Sequence, residues 1–201
     1  MKFTLRAVAF SVLLLAATTA GLAQDVHGFR ADLIGQLAYV EKQILDLETA
    51  TPDAKMTWRA SKDVRSISEV YSHIAFANYM LAKLAGAPPP EGMAMATPAD
   101  GMKWEKATTD KKAIREQIAN SFDFVKGAVK TMSDADLEKE VDFFGQKMTT
   151  RGVLLTLLSH AHEHLGQSVA YARMVGVAPP WTAAQQAAEK AMMKKMEKKQ
   201  Q

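Results

Sequence analysis

Residues 149–176, TTRGVLLTLLSHAHEHLGQSVAYARMVG, are the most informative part of this sequence. Thr149 is a favourable N-cap residue. Gly176, followed by Pro179 and Pro180, is a strong helix stop. Between them, apolar residues recur with the helical period at Leu154, Leu157, Leu158, Ala161, Leu165 and Val169. The segment is therefore predicted to form one long helix with an apolar stripe along one side.

The same segment contains His160, His162 and His164, three of the five histidines in the chain. His160 and His164 stand at i and i+4, which places them on one helix face with Cβ atoms about 5–6 Å apart. Two imidazoles so placed can bind one metal ion at about 2.0–2.1 Å each. Both flank the apolar stripe and are predicted to point into or along a core, whereas His162, about 200° round from His160, should face away. The alternative is a hydrogen-bonded core pair, because the residue after His160 is Ala161 rather than the Glu of HExxH.

The N-terminus has the features of a bacterial secretory signal peptide. Lys2 and Arg6 precede an apolar run at residues 7–17. Gly21 and Ala23 then place small residues at the −3 and −1 positions of a cleavage site. We expect cleavage after Ala23 and a periplasmic or secreted protein, with an uncleaved anchor as the alternative. The run is short for a membrane span and no second one follows, so no stable span is expected after cleavage.

Composition excludes several classes of site. The chain has no cysteine, which rules out disulfides, thiolate metal sites and cysteine-dependent catalysis. The net charge of +3 is concentrated at the two ends of the chain. Without Lys2, Arg6 and the lysine-rich tail from Ala183, the remainder carries about −2, so no basic groove for nucleic acid is implied.

Three further segments have helical periodicity. The first helix is predicted over residues 25–50 and the third over 110–132. The second starts at a capping box formed by Ser66 and Glu69 and runs to about Ala85. Four helical stripes without a strand signal predict an all-α four-helix bundle.

The segments between and after these helices complete the architecture. Residues 86–109 are proline-rich and longer than a bundle turn needs, so we interpret them as a long crossover between helices that are not simple antiparallel neighbours, or as a cover over a site. Residues 141–148 are either extended or a loop. The predicted domains are a signal peptide at 1–23, the bundle at 24–180 and a basic Ala/Lys/Met-rich helical tail at 181–201. A solvated tail is favoured over one docked on a partner or an anionic membrane.

A polar residue interrupts the stripe of the second helix. His73 is flanked along that face by Val70, Ala77, Met80 and Leu84, and burying an imidazole costs free energy unless it is hydrogen-bonded or metal-bound. Bundles build metal sites from side chains on facing helices, so His73 is a candidate partner of His160 and His164. Three neutral imidazoles with an open position make a catalytic-type zinc site, or a site for nickel, manganese or iron. A hydrogen-bonded core histidine is the alternative.

Two motifs resemble those of a known family. SISEVYSHIAFANYM, residues 66–80, leads from the helix start to His73. The pattern HxxxHxxQ, followed by Arg, Gly and a double Pro, falls on His160, His164, Gln167, Arg173, Gly176, Pro179 and Pro180. With these motifs the chain resembles the DinB/YfiT-like superfamily of bacterial helical-bundle proteins over roughly residues 29–180. The resemblance implies a divalent metal ion bound by His73, His160 and His164.

The resemblance also suggests which reactions the protein could catalyse. Family members include metal-dependent thiol transferases and isomerases, but an exported protein has poor access to a cytosolic thiol, so hydrolysis by metal-activated water is at least as strong a hypothesis. No catalytic side chain is assigned; Glu69, one turn before His73, is the only acidic candidate, and its capping role explains it. We expect a metal-binding hydrolase or transferase of the bacterial envelope that acts on an unknown small substrate. The sequence does not exclude a homodimer. The alternative is a non-catalytic bundle with a structural metal, in which the tail or surface binds a partner.

Overall fold

Four long helices form the bundle of this protein, as seen in a computed structural model that describes residues 26–93 and 97–199. The elements in chain order are α1 (Gly28–Ala50), α2 (Ile67–Leu84), α3 (Pro98–Glu105), α4 (Lys111–Thr131), α5 (Asp134–Leu137), β1 (Glu140–Phe143), β2 (Gln146–Thr149), α6 (Thr150–Met174) and α7 (Trp181–Lys199). The predicted signal peptide lies outside the described residues. The prediction of a four-helix bundle with one long crossover is confirmed, with α1, α2, α4 and α6 as its helices.

The helices are arranged so that α2 packs against α4 and α6, and α1 packs against the same two from the other side. Side-chain hydrogen bonds between α2 and α4 join earlier residues to earlier ones and later residues to later ones: the Ser72 hydroxyl donates to Gln117, and the Asn78 amide donates to Ser121. The two helices are therefore parallel neighbours. A parallel pair needs a connection that returns along the length of the bundle, which explains why residues 86–109 are so long.

The helix ends follow the capping signals of the sequence. The Ser66 hydroxyl accepts from the Glu69 backbone N–H, and the Glu69 carboxylate accepts from the Ser66 N–H, which completes the predicted capping box. Thr149 caps α6 by accepting from the Gly152 N–H. Gly176, with a φ of 84°, allows the chain to leave α6 through a left-handed conformation.

The core follows the predicted stripes for the most part. The side chains almost completely removed from solvent include Leu33, Leu37, Val40, Ile44 and Leu47 of α1, Ile114, Ile118, Phe122, Val125 and Val129 of α4, and Leu154, Leu157, Ala161 and Leu165 of α6. Val153 of α6 is buried as well, whereas Leu158 and Val169 of the predicted stripe are only partly buried. Helical stability in such a domain comes mostly from packing these faces together rather than from intrinsic propensity. The packed faces thus fix the relative positions of α2 and α6, which carry the candidate ligands.

Two elements of the structure were not predicted as such. Residues 141–148 form most of a hairpin in which Glu140 pairs with Thr149 and Phe143 with Gln146. Helix α3 lies inside the crossover and starts at a capping box of Thr97 and Asp100. The crossover is thus partly helical, and it carries side chains to the N-terminal half of α2.

The C-terminal tail is helical, as predicted. Trp181 packs against the edge of the core, and the side chains of residues 184–196 are exposed. Among the described helices, none is both long and apolar enough to cross a membrane.

Candidate metal centre

The three predicted ligands come together between two helices of the bundle. His73 lies in the second turn of α2, and His160 and His164 lie on one face of α6. One nitrogen from each ring lies within 4.8 Å of the other two. The ring centroids are 4.4 Å apart for His160 and His164, and 5.0 and 4.6 Å from His73 to these two. All three rings are partly buried.

The Nε2 atoms of His73 and His160 are 3.1 Å apart. Two imidazoles bound to one tetrahedral ion at about 2.0–2.1 Å would have nitrogens about 3.3 Å apart. The same separation is also that of a hydrogen bond between two neutral rings. This distance therefore fits both a metal-bound pair of rings and a hydrogen-bonded pair. The partners of the Nδ1 atoms of His73 and His164 show which nitrogen of those two rings is free to bind an ion.

A carboxylate orients the first ring. The Nδ1 atom of His73 lies 2.7 Å from Oε1 of Glu105, a residue at the end of α3. Arg65 holds the same carboxylate with two bonds, from Nε to Oε2 at 2.7 Å and from Nη2 to Oε1 at 3.0 Å. A carboxylate at Nδ1 favours the proton on that nitrogen and directs the lone pair of Nε2 of His73 towards the centre.

Glu105 is ionised at neutral pH. Burial of its carboxyl group would raise the pKa, but hydrogen bonds from His73 and Arg65, together with the charges of both, outweigh burial and lower the pKa to about 2. An ionised carboxylate is what an Nδ1–H donor and a guanidinium require. The contact therefore persists across the physiological range of pH.

Glu69, the acidic residue named from the sequence, belongs to the helix cap rather than to the centre. Its Oε2 accepts from the Ser66 backbone, and its Oε1 accepts from Arg59 at 2.9 Å. Glu105 was missed because it is 32 residues from His73 in the chain and reaches it only through the docking of α3. The Thr97–Asp100 capping box was the sequence signal for that helix.

A side-chain amide orients the third ring. The Nδ1 atom of His164 lies 2.8 Å from Oε1 of Gln167, whose Nε2 donates to the Tyr171 hydroxyl at 3.3 Å. Since an amide oxygen only accepts, His164 carries its proton on Nδ1, and the lone pair of Nε2 is left for the centre. Gln167 of the closing motif thus has a structural role. The Tyr171 ring is itself packed edge-on against Trp58, with centroids 5.4 Å apart.

The pKa of His160 is strongly lowered. Burial, followed by the charges of His164, His73 and Arg65, lowers its pKa to about 3. Burial also lowers the pKa of His164, although the hydrogen bond with Gln167 opposes the change. Nδ1 of His160 is buried and has no hydrogen-bond partner within the described part of the chain. Neutral imidazoles with available lone pairs are the form that binds divalent ions.

The other two histidines lie apart from this cluster. His162 is exposed, and its Nδ1 lies 3.0 Å from the carbonyl oxygen of Leu158 one turn earlier. The expectation that it faces away from the pair is therefore correct. His27 is exposed at the start of α1 and makes no side-chain cap.

A polar cleft borders the centre. It has a volume of about 630 Å³, and its wall includes Glu105 and Gln167, the residues that orient His73 and His164. A second cavity of about 700 Å³ lies at the C-terminal end of α2, where Ala87 and Gly127 face the hairpin. That cavity contains none of the residues of the centre, whereas the first cleft adjoins the centre through Glu105 and Gln167, although no histidine lines it.

A family model described as the DinB superfamily matches residues 36–168. The comparison with curated proteins gave no match.

Several solved structures share the fold. A DinB-like protein from Bacillus cereus is 20% identical, with a TM-score of 0.63 over 75% of this chain and 95% of that one. A conserved protein from Enterococcus faecalis is 16% identical, with a TM-score of 0.60 over 74% of this chain and 98% of that one. A mycothiol-dependent maleylpyruvate isomerase is 14% identical, with a TM-score of 0.56 over 68% of this chain and 59% of that one. At these identities the likeness is one of fold.

Proposed function

Because this chain belongs to the DinB superfamily, we propose that it binds a divalent metal ion through His73, His160 and His164 and acts on a small substrate at that ion. The observation that carries the proposal is the convergence of three ring nitrogens from two helices. The outer nitrogens of two of the rings are held by Glu105 and Gln167. Such outer partners are typical of histidines that bind metal ions.

The donor set fits a divalent ion. Three neutral imidazoles suit zinc, nickel or iron better than manganese, which prefers oxygen ligands. The three nitrogens lie within 4.8 Å of one another, and the 3.1 Å between Nε2 of His73 and Nε2 of His160 is close to the about 3.3 Å expected for two ligands of one tetrahedral ion.

The number of ligands favours a catalytic site over a structural one. Within the described ranges, the cluster has three protein ligands, and the nearby carboxylate of Glu105 is already engaged by His73 and Arg65. Structural zinc sites are normally closed by four protein ligands, whereas catalytic sites keep a position for water or substrate. The cleft of about 630 Å³, which adjoins the centre through Glu105 and Gln167, supports this assignment.

The division of labour follows from these contacts. When bound, the ion supplies a Lewis acid and lowers the pKa of a coordinated water to about 7. Glu105 holds the proton of His73 on Nδ1, and Arg65 keeps Glu105 in place. Gln167 does the same for His164. The chain thus supplies orientation and a bordering cleft for a hydrolysis or group-transfer reaction.

Location bears on which reaction is favoured. With the signal peptide that we propose at residues 1–23, the protein acts in the bacterial envelope, where a cytosolic thiol is scarce. Hydrolysis is then favoured. One structural neighbour is a mycothiol-dependent isomerase, and that name supports thiol-dependent transfer or isomerisation as the second reaction class.

A non-catalytic role is the alternative function. The triad joins α2 to α6, so an ion there would also cross-link two helices of the bundle. In that case the bound ion would have no exchangeable ligand.

Metal content tests the proposal. The protein purified from its native compartment without added metal should contain about one divalent ion per chain, and His164→Ala should lose it. His162→Ala is the matched control, because that ring is exposed on the same helix, and it should retain the ion. Equal metal content and equal melting temperature in the unmodified protein and His164→Ala would remove the basis of the proposal.

A further inference from the structure

The cleft beside the histidines has an excess of positive charge. Seven charged side chains line it, namely Arg59, Lys62, Asp63, Arg65, Glu69, Glu105 and Lys106. Two of the three carboxylates are neutralised by arginines, Glu69 by Arg59 at 2.9 Å and Glu105 by Arg65 at 2.7 Å.

The remaining charges are two lysines and one aspartate. Lys62 and Lys106 are exposed, and neither forms an ion pair with any residue that the structure describes. Asp63 is exposed as well, so the cleft keeps one net positive charge. A bound divalent ion would add to this charge, and the combined field favours an anionic ligand.

An anchored guanidinium lies between this cleft and the centre. Arg65 gives its Nε and Nη2 atoms to Glu105, and its Nη1 atom has no partner among residues 26–93 and 97–199. The Glu105 carboxylate that it holds also bonds Nδ1 of His73, so the guanidinium is one side chain away from the centre. A guanidinium that is already held in position offers a donor to a carboxylate or phosphate at little entropic cost.

The cleft also has an apolar part. Val64 and Met102 line it with 36% and 55% of their surfaces exposed. Its volume of about 630 Å³ lies within the range of about 300–1,000 Å³ found for small-molecule sites. The cleft thus pairs an apolar surface with a cationic one at the scale of a small metabolite.

We infer that the ligand of this cleft is a small organic acid, with a carboxylate or phosphate group held by Arg65 Nη1, Lys62 and Lys106, and a short apolar body against Val64 and Met102. This inference rests on the proposed function, since it names the substrate class of the same site. It places the oxyanion in the cleft that Glu105 and Gln167, the partners of His73 and His164, also line.

Binding of simple acids tests the inference. The full chain, with and without Co²⁺, is titrated with butyrate, propylphosphonate and the neutral analogue butyramide by isothermal titration calorimetry. Low ionic strength is used because salt screens exposed charges. At least one acid should bind and butyramide should not, and the tighter of the two acids identifies the oxyanion. The visible spectrum of the Co²⁺ protein should change when the acid binds.

Variants assign the binding to the two lysines. The double variant Lys62→Gln/Lys106→Gln should bind the acid about fivefold more weakly, as expected for two exposed charges. Lys103→Gln is the matched control, because Lys103 is an exposed lysine of α3 that lines a different pocket. This variant should bind the acid as tightly as the unmodified protein does.

Two readouts separate this inference from the proposed function. Failure to take up Co²⁺ counts against the metal site, whereas lysine-dependent acid binding by the metal-free chain would still support the anionic ligand. The inference is overturned if butyramide binds as tightly as butyrate, if neither acid binds, or if the double variant keeps full affinity.

Discussion

At the scale of single residues, the site depends on the partners that orient the rings. His73, His160 and His164 are brought together by helix packing, but only Glu105 and Gln167 determine which nitrogen of a ring faces the centre. The His73–Glu105–Arg65 chain is the strongest of these contacts, since it joins an ionised carboxylate to a guanidinium through two bonds.

Glu105→Gln should weaken metal binding while leaving the fold intact. An amide accepts a weaker hydrogen bond from His73 Nδ1 and no longer pairs with the charge of Arg65, so we expect about 10- to 100-fold lower affinity. Competition with a chromophoric chelator measures the affinity, and the melting temperature of the metal-free protein reports the fold. Glu91→Gln, an exposed position in the same crossover, is the control. Unchanged affinity in Glu105→Gln would show that the carboxylate does not orient the ring.

Tyr71 offers a test of core burial by pH. Burial raises the pKa of its phenol well above the usual value of 10.0, and a hydrogen bond with Thr51 only partly opposes this. Above pH 10 the unfolded chain therefore loses this proton while the folded chain keeps it, so stability should fall as pH rises from there. Tyr71→Phe should flatten that fall in urea denaturation curves recorded between pH 9 and 11. A parallel decline in both proteins would contradict the assigned burial.

At the scale of elements, α3 is the part that links the crossover to the site. Its Gly101 faces Phe76 of α2 so closely that a Cβ atom there would lie 2.9 Å from the Cε1 atom of that ring. The absence of a side chain thus lets α3 dock against α2 and carry Glu105 to His73. The crossover therefore has a part in the site as well as in the chain connection.

Gly101→Ala should displace α3 and lower metal affinity several-fold by loosening the His73–Glu105 contact. The matched control is Gly127→Ala in α4, where a Cβ meets nothing within 4 Å. That change should instead stabilise the protein by about 0.5–1 kcal/mol, because alanine is the better helix former. Chelator competition and chemical denaturation measure the two effects. A Gly101→Ala protein that binds metal normally would mean that α3 tolerates the shift.

The elements also show why only part of the site was predictable. His160 and His164 follow from local spacing, and His73 from being polar in an apolar stripe, because both signals belong to single helices. Glu105 depends on how α3 docks onto α2, a tertiary event that periodicity within one segment does not record. The sequence left residues 141–148 as either extended or a loop because the strands have only four residues each, and burial alternates along β1 but not along β2.

At the scale of the whole molecule, the bundle separates the site from the tail. The histidines lie between α2 and α6, whereas α7 leaves the bundle after Trp181 and exposes its side chains from residue 184 to 196. The capping signals and apolar stripes were sufficient for the four long helices. The parallel orientation of α2 and α4 was implied by the length of residues 86–109, and the structure supplies the pairing itself.

Removal of the tail should leave the bundle and its site unchanged. A chain that ends after Thr182 loses residues 184–196, whose side chains are exposed, so its melting temperature and metal content should match those of the longer protein. Differential scanning calorimetry and elemental analysis measure both. A large fall in melting temperature would mean that the tail packs against the bundle or a second copy.

The central claim is that imidazoles from two helices bind one ion and leave a position open. X-ray absorption at the metal edge, recorded on the protein purified from its native compartment, tests it most directly. The account predicts three imidazole nitrogens at about 2.0–2.1 Å together with at least one exchangeable oxygen ligand. A shell of four protein ligands, or one with fewer than three imidazoles, would contradict it.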